Sequence, residues 1–363
     1  MRVMNSKLVL NIGPKKGNPR NSEGTFIRNK SGEILYAYSR FSGTDWHDDQ
    51  PCDIALIRSY DEGETWSEPE IIVSAQMFDA TNVMSVSSVT QTNGNIAFYY
   101  VIKEKGNHDL LGIVNIGISL GRAILLDNGS FKVERCKVNC ENGYYVINND
   151  RLIRLKDGRL VFPIARKIRG TEYAINIFVS EDDGDSFTPY SPWIYMPTNL
   201  KSKTGLQEPG LIELNDGKIY MWARTDMAYQ YECYSNDGLK SFTAPVPSEF
   251  TSPLAPMEIE RSPENILFAV YNPIPLYNGR EEYYSNVTLG GRNPIIVRKS
   301  INDGKTWGVC NIIEANENRG FCYPALFFTK DESLLIAYCR GGSDDGCGLN
   351  RLGIRKIRLS DIH

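Results

Sequence analysis

The sequence has only three histidines in 363 residues, no cysteines in paired metal-ligand spacing and no surplus of positive charge. Each absence closes off a class of function. Cys136 and Cys140 stand four apart with no second pair to complete a metal site, so no metal or cofactor is implied. The formal net charge of -4 provides no basic excess to neutralise phosphates, which excludes nucleic acid as a partner. The most apolar stretch, 110–126, is interrupted by Asn115, Ser119 and Arg122, so no membrane span is expected. The first twenty residues lack the apolar core of a secretion signal, and the eight cysteines form no disulfide framework. Together these give a cytoplasmic expectation; the sequence sets no oligomeric state.

What the chain does have is a repeat. A short turn followed by an apolar run recurs as KSGEILYAYSR from Lys30, TNGNIAFYYV from Thr92, KDGRLVFPIAR from Lys156, NDGKIYMWAR from Asn215, SPENILFAVYN from Ser262 and KDESLLIAYCR from Lys330. The turn positions Gly32, Gly94, Gly158, Gly217, Asn265 and Glu332 are 62, 64, 59, 48 and 67 residues apart. Such units are hairpins, and a repeat of this length stacks sheets around an axis. The expectation is an all-β, six-bladed β-propeller forming a single catalytic domain over residues 1–363. No linker divides the chain, although its length alone suggests more than one domain.

A second element recurs in register with the first. Ser59-Tyr-Asp61-Glu-Gly63-Glu-Thr-Trp66 has the pattern S-x-D-x-G-x-x-W, and Ser180 to Phe187 repeats it with Phe last. Ser300 to Trp307 carries Asn302 at the Asp position, and Ser235 to Phe242 has its glycine one place early. The pattern predicts a turn between outer strands, with the Asp or Asn oxygen capping backbone N–H groups, a left-handed glycine and an aromatic packed between sheets. These turns are structural and lack the ligand density of a calcium loop. They resemble the Asp-boxes of the sialidase (neuraminidase) superfamily, also called bacterial neuraminidase repeats, and the resemblance covers nearly the whole chain.

That resemblance implies a fold and a site. Propeller sites lie on the axis, where the innermost strands end. Glu208 in LQEPGLIEL, with Arg224 closing the next strand, is similar to the family's fourth-blade Glu and Arg. Arg292 resembles a later arginine of its carboxylate-binding triad, and Tyr323 its nucleophilic tyrosine. The loop SRFSGTDWHDDQPCD corresponds to the one carrying the acid/base, with Arg40 as a sugar-contacting arginine and Asp45, His47 and Asp48 as open alternatives for the proton donor. The family's first triad arginine falls on Ser22; Arg20 is two residues away and expected to point elsewhere, and Glu23 is unsuited to an anion site. The triad is therefore expected as a dyad. In Asn148-Asn149-Asp150-Arg151 and at Arg166 the position in the repeat points to the axial mouth, with Arg151 and Arg166 as further substrate-binding guanidiniums; an internal Asp150–Arg151 ion pair is the alternative.

The implied activity is exo-acting, retaining hydrolysis of a terminal acidic sugar, sialic acid or a relative. Guanidinium groups hold a carboxylate bidentately. A neutral phenol nucleophile is not repelled by the carboxylate on the anomeric carbon, and with an ordinary pKa near 10 it needs a base, here Glu208. Two alternatives keep the pocket: a polysaccharide lyase acting on a uronic acid, with Tyr323 or His47 taking the α-proton, and a carbohydrate-binding propeller without turnover. The last predicts that Glu208 and Tyr323 do not meet.

Overall fold

The computed structural model describes residues 2–106, 117–198, 200–277 and 291–363, so the apolar stretch 110–126 lies partly outside them. The chain is all-β, with helix limited to short 3₁₀ turns among the described residues, and its sheets take a propeller-like arrangement. Among the described residues no helix is long and apolar enough to cross a membrane. All eight cysteines are free, five of them buried.

The six predicted turn–strand units are antiparallel hairpins. Ile34–Phe41, Ile96–Glu104, Leu160–Arg169, Ile219–Arg224, Leu267–Tyr271 and Ser333–Cys339 each pair with the strand before them and the strand after. Their sequences run apolar without alternation because both faces are covered: every residue of Ile219–Arg224 and of Ser333–Cys339 is buried. All six turn positions adopt the left-handed region, Asn265 at φ 64° and Glu332 at φ 58° without a glycine's freedom.

The strands form five sheets, the largest of eight strands. In that sheet Cys52–Ser59 meets Ala80–Thr90 through a single parallel pair, Cys52 with Asn82. Apolar clusters lie between successive groups of strands. Leu35, Leu56, Val83 and Phe98 join the first and second groups; Val161, Ile177, Met221 and Cys233 join the third and fourth. Tyr36, Ile57, Leu335 and Ile354 join the last group to the first. The ends of the chain close the ring, because Lys7–Ile12 pairs antiparallel with Leu352–Arg358.

The repeated turns have the expected internal bonding. In the box at 180–187, Gly184 N–H donates to Ser180 Oγ at 2.7 Å, and Asp182 accepts from Ser186 N at 2.9 Å and Ser186 Oγ at 2.5 Å. The box at 235–242 tolerates its early glycine because two consecutive positions are left-handed: Gly238 at φ 73° and Leu239 at φ 78°. Leu239 N then takes the bond to Ser235 Oγ, at 3.0 Å. Phe187 packs edge-on to Tyr99, 5.9 Å between ring centroids, bridging two strand groups. Replacing Asp182 by Ala is expected to cost about 1–2 kcal/mol in urea unfolding through loss of the cap. Replacing the exposed neighbour Glu181 should cost almost nothing.

Candidate active site

The inner strands share a distortion that builds the site. Arg20–Arg28, Ala80–Thr90, Gln207–Glu213 and Cys322–Phe328 each slip register near their first residues, at Asn21/Gly24, Met84/Ser87, Gln207/Gly210 and Cys322/Ala325. Such bulges add one residue and re-aim the side chains around it. Three of them hold a non-glycine residue in the left-handed region: Ser85 at φ 59°, Glu208 at φ 44° and Tyr323 at φ 56°. Strained backbone of this kind persists where surrounding structure fixes it, and all three residues line one cavity of about 440 Å³.

Glu208 and Tyr323 meet in that cavity, Tyr323 Oη donating to Glu208 Oε1 at 3.1 Å. Burial and the Glu208 carboxylate push the Tyr323 phenol well above its ordinary value, against the opposing pull of Arg224 and Arg292. The resting phenol therefore keeps its proton. Arg224 Nη1 lies 2.8 Å from Glu208 Oε2, and its Nε and Nη2 donate to Gln207 Oε1 at 3.2 and 2.9 Å. The Arg292 guanidinium sits 5.6 Å from the centroid of the Tyr323 ring and donates to the Leu254 carbonyl at 3.0 Å.

The expected dyad of guanidiniums is a trio. Arg20 lines the same cavity, 2% exposed. The bulge explains why counting back from Gly32 fails: Asn21 stands opposite Arg40 and Gly24 opposite Tyr38, so Ser22 and Glu23 share one partner position and the facing of every earlier residue changes. Arg20 Nη2 is 3.2 Å from Glu23 Oε2, Nη1 is 2.6 Å from Asp48 Oδ1, and Nη1 also donates to the Trp46 carbonyl at 2.9 Å. Glu23 is thus a partner of the guanidinium, and Ser22 Oγ donates to its carboxylate.

The loop 42–51 enters the cavity with Trp46, His47 and Asp48. Asp45 does not line it: its Oδ1 accepts from His47 N at 2.9 Å and faces His47 Nδ1 at 2.8 Å. The Asp48 carboxyl is pushed up by burial but pulled further down by Arg20, with Lys103 and Arg224 adding to the pull, and ends below its ordinary value.

Three other expected arginines lie elsewhere. Arg151 is buried in an ion pair with Glu258, beneath Trp222 at 5.9 Å, and donates to the Met257 carbonyl. Its partner is therefore Glu258 rather than Asp150, and it does not reach the cavity. Arg166 pairs with Glu141 at 2.5 Å and lies against the Tyr145 and Trp193 rings. Arg40 is half-buried in Ile34–Phe41 opposite Asp53 and is not among the lining residues. In each case a nearer acidic or aromatic partner, or the strand's own facing, takes the side chain away from the axis.

Asn148 does face the cavity. Its Oδ1 accepts from Asn149 N at 2.9 Å, which fixes the amide and leaves a buried Nδ2 with no hydrogen-bond partner among the described residues. Asp150 turns the opposite way into a second cavity of about 520 Å³, shared with Glu260, Ser88 and Phe328. Sequence reading missed Gln207, Asn82 and Ser85 as lining residues. One signal was present: Glu208-Pro209-Gly210 and Tyr323-Pro324-Ala325 share a pattern of cavity-lining polar residue, proline and small residue, and both are bulges.

Chemically, the cavity brings together a phenol on a carboxylate, three guanidiniums, and a loop that contributes an imidazole and a carboxylate. Solved structures share the fold. A protein of unknown function from Dyadobacter fermentans superposes with a TM-score of 0.73 at 17% identity, covering 97% of this chain and 99% of its own. A Hadza microbial sialidase gives 0.75 at 15% identity over 98% of this chain and 69% of its own, and the NanB sialidase of Streptococcus pneumoniae gives 0.69 at 12% over 99% and 71%. No protein with a curated description matches the sequence. The pattern of the BNR repeat-like domain matches residues 47–336, most of the chain, and the protein belongs to that family as a divergent member with a sialidase-like fold.

Proposed function

We propose that the protein is an exo-acting, retaining glycoside hydrolase that removes a terminal acidic sugar, sialic acid or a relative, from a glycan. The reading is carried by the 3.1 Å contact between Tyr323 and Glu208 in a cavity that also holds Arg20, Arg224 and Arg292. A propeller that only binds carbohydrate has no need of that contact or of two strained bulges to make it. The scaffold is read as a single domain over 1–363 with six blades, the eight-stranded sheet counting as two joined by the Cys52–Asn82 pair. Apolar clusters between successive strand groups, including last with first, support that count.

In this mechanism the guanidiniums hold the substrate carboxylate and so place the anomeric carbon over Tyr323. The phenol oxygen attacks as its proton passes to Glu208, and the bond to the leaving oxygen breaks as that oxygen is protonated from the 45–48 loop. Water then attacks the Tyr-linked sugar, giving a proton back to the same loop, and Glu208 returns its proton to the departing phenolate. A cavity of about 440 Å³ has room for a sugar unit.

The test is turnover of a fluorogenic sialoside by the purified protein and its Tyr323→Phe variant. Release by the parent that disappears in the variant supports a tyrosine-dependent sialidase. No release, together with an ultraviolet-absorbing unsaturated product from a uronate polymer, makes the site a lyase instead.

A further inference from the structure

A general acid/base has two requirements: it must reach the reacting bond, and it must be able to carry a proton there. Three residues of one loop compete for the role, and their surroundings differ. Asp45 fails the first requirement, since it stands outside the cavity lining with Oδ1 engaged by the His47 backbone and ring. Asp48 reaches the cavity but is fastened. Its Oδ1 lies 2.6 Å from Arg20 Nη1, and its backbone carbonyl accepts from Asn82 Nδ2 at 2.7 Å and Lys103 Nζ at 3.0 Å. A carboxylate clamped to a buried guanidinium accepts hydrogen bonds and has no proton to give. His47 meets both requirements. It lines the cavity, its ring stacks on Trp46 with centroids 4.2 Å apart and planes 18° apart, and Nδ1 lies 2.8 Å from Asp45 Oδ1.

From this geometry we infer that His47 is the acid/base of the reaction, positioned by Asp45, while Asp48 holds Arg20 in place. The assignment rests on the glycosidase reading. Asp45 at Nδ1 fixes the ring orientation, leaving Nε2 to exchange with the substrate. In the first step the His47 imidazolium gives its proton to the glycosidic oxygen as the carbon–oxygen bond breaks, while Tyr323 bonds the anomeric carbon and its phenolic proton moves to Glu208. In the second, the neutral ring takes a proton from the attacking water, the tyrosyl bond breaks, and Glu208 reprotonates the phenolate. Every group is restored. Besides Asp48, the charged groups lining the same cavity are Arg20 and Glu23 from Arg20–Arg28, Lys103 and Glu104 from Ile96–Glu104, Glu208 and Arg224 from the strands Gln207–Glu213 and Ile219–Arg224, and Arg292.

The experiment compares His47→Gln, Asp45→Asn and Asp48→Asn on two substrates: an aryl sialoside, whose phenol leaves with little help, and sialyllactose, whose alkoxide does not. His47→Gln is expected to lose about 100-fold or more in kcat/KM on sialyllactose and under about 10-fold on the aryl sialoside. With the aryl substrate it should show a burst of released phenol followed by slow turnover, because the second step still needs the base. Asp45→Asn should share the leaving-group dependence, since the ring loses the carboxylate that orients it. Asp48→Asn should change KM on both substrates alike. If Asp48→Asn alone shows selective loss on sialyllactose while His47→Gln does not, the assignment is overturned in favour of Asp48. If the parent protein turns over neither sialoside, the sialidase reading itself fails and the His47 assignment falls with it.

Discussion

Replacing Glu208 by Gln should lower kcat about 10²–10⁴-fold while leaving KM unchanged or reduced. Glutamine keeps the volume and an oxygen that accepts the Tyr323 hydroxyl, so the 3.1 Å contact can survive. What it loses is the ability to take the phenolic proton. Burial and the neighbouring carboxylate keep that proton on Tyr323 in the resting site, so attack without a base means forming a bare phenolate in a poorly solvated cavity. The KM direction follows from charge. Glu208 is a counter-ion of Arg224 at 2.8 Å, and neutralising it leaves that guanidinium more available to a substrate carboxylate. Steady-state kinetics on a fluorogenic sialoside separate the two constants. An unchanged kcat would remove Glu208 from the chemistry; a raised KM with unchanged kcat would make it a binding residue only.

The parts of the structure written locally were legible in the sequence. The hairpin turns and the Ser-x-Asp boxes are closed by bonds spanning four residues, such as Gly63 N to Ser59 Oγ at 2.8 Å, so a short window contains the whole cause. Glu208, Arg224, Arg292 and Tyr323 were reachable because each lies in or next to such a window. Arg20 was not, because a one-residue bulge between Asn21 and Gly24 reverses the facing of the strand, and counting positions from the turn assumes an unbroken register. Arg151 was misread for a different reason: its ion-pair partner Glu258 comes from another strand group far along the chain, and only packing could choose it over the adjacent Asp150. Asp45, His47 and Asp48 stayed open alternatives because what distinguishes them includes the contact of Asp48 with Arg20, whose facing the bulge had hidden.

Asp150 and Glu260 carry the other large effect, in stability. They share the second cavity, and burial together with their mutual repulsion raises the Glu260 carboxyl to about 8 and burial raises that of Asp150 to about 6. Arg151 lies near both and pulls the other way, but its guanidinium is already paired with Glu258. The consequence has a definite sign. Below the ordinary value of 4.5 both folded and unfolded chains hold the Glu260 proton, and its contribution is fully present. Between there and about 8 the unfolded chain releases the proton while the folded chain keeps it, so stability falls as pH rises, then levels off. Glu260→Gln removes this dependence. Its advantage over the parent should be small at pH 5 and grow to about 2–4 kcal/mol by pH 8 in urea unfolding. Asp150→Asn should follow the same course but finish near pH 6, with the amide Oδ1 still able to accept from Thr25 Oγ1. Stability curves for parent and Glu260→Gln that stay parallel from pH 5 to 9 would mean that water or a cation relieves the pair. The two cavities thus meet the cost of a carboxylate differently: Glu23, Asp48 and Glu208 in the first are each paired with a guanidinium, whereas Asp150 and Glu260 in the second meet it by holding a proton.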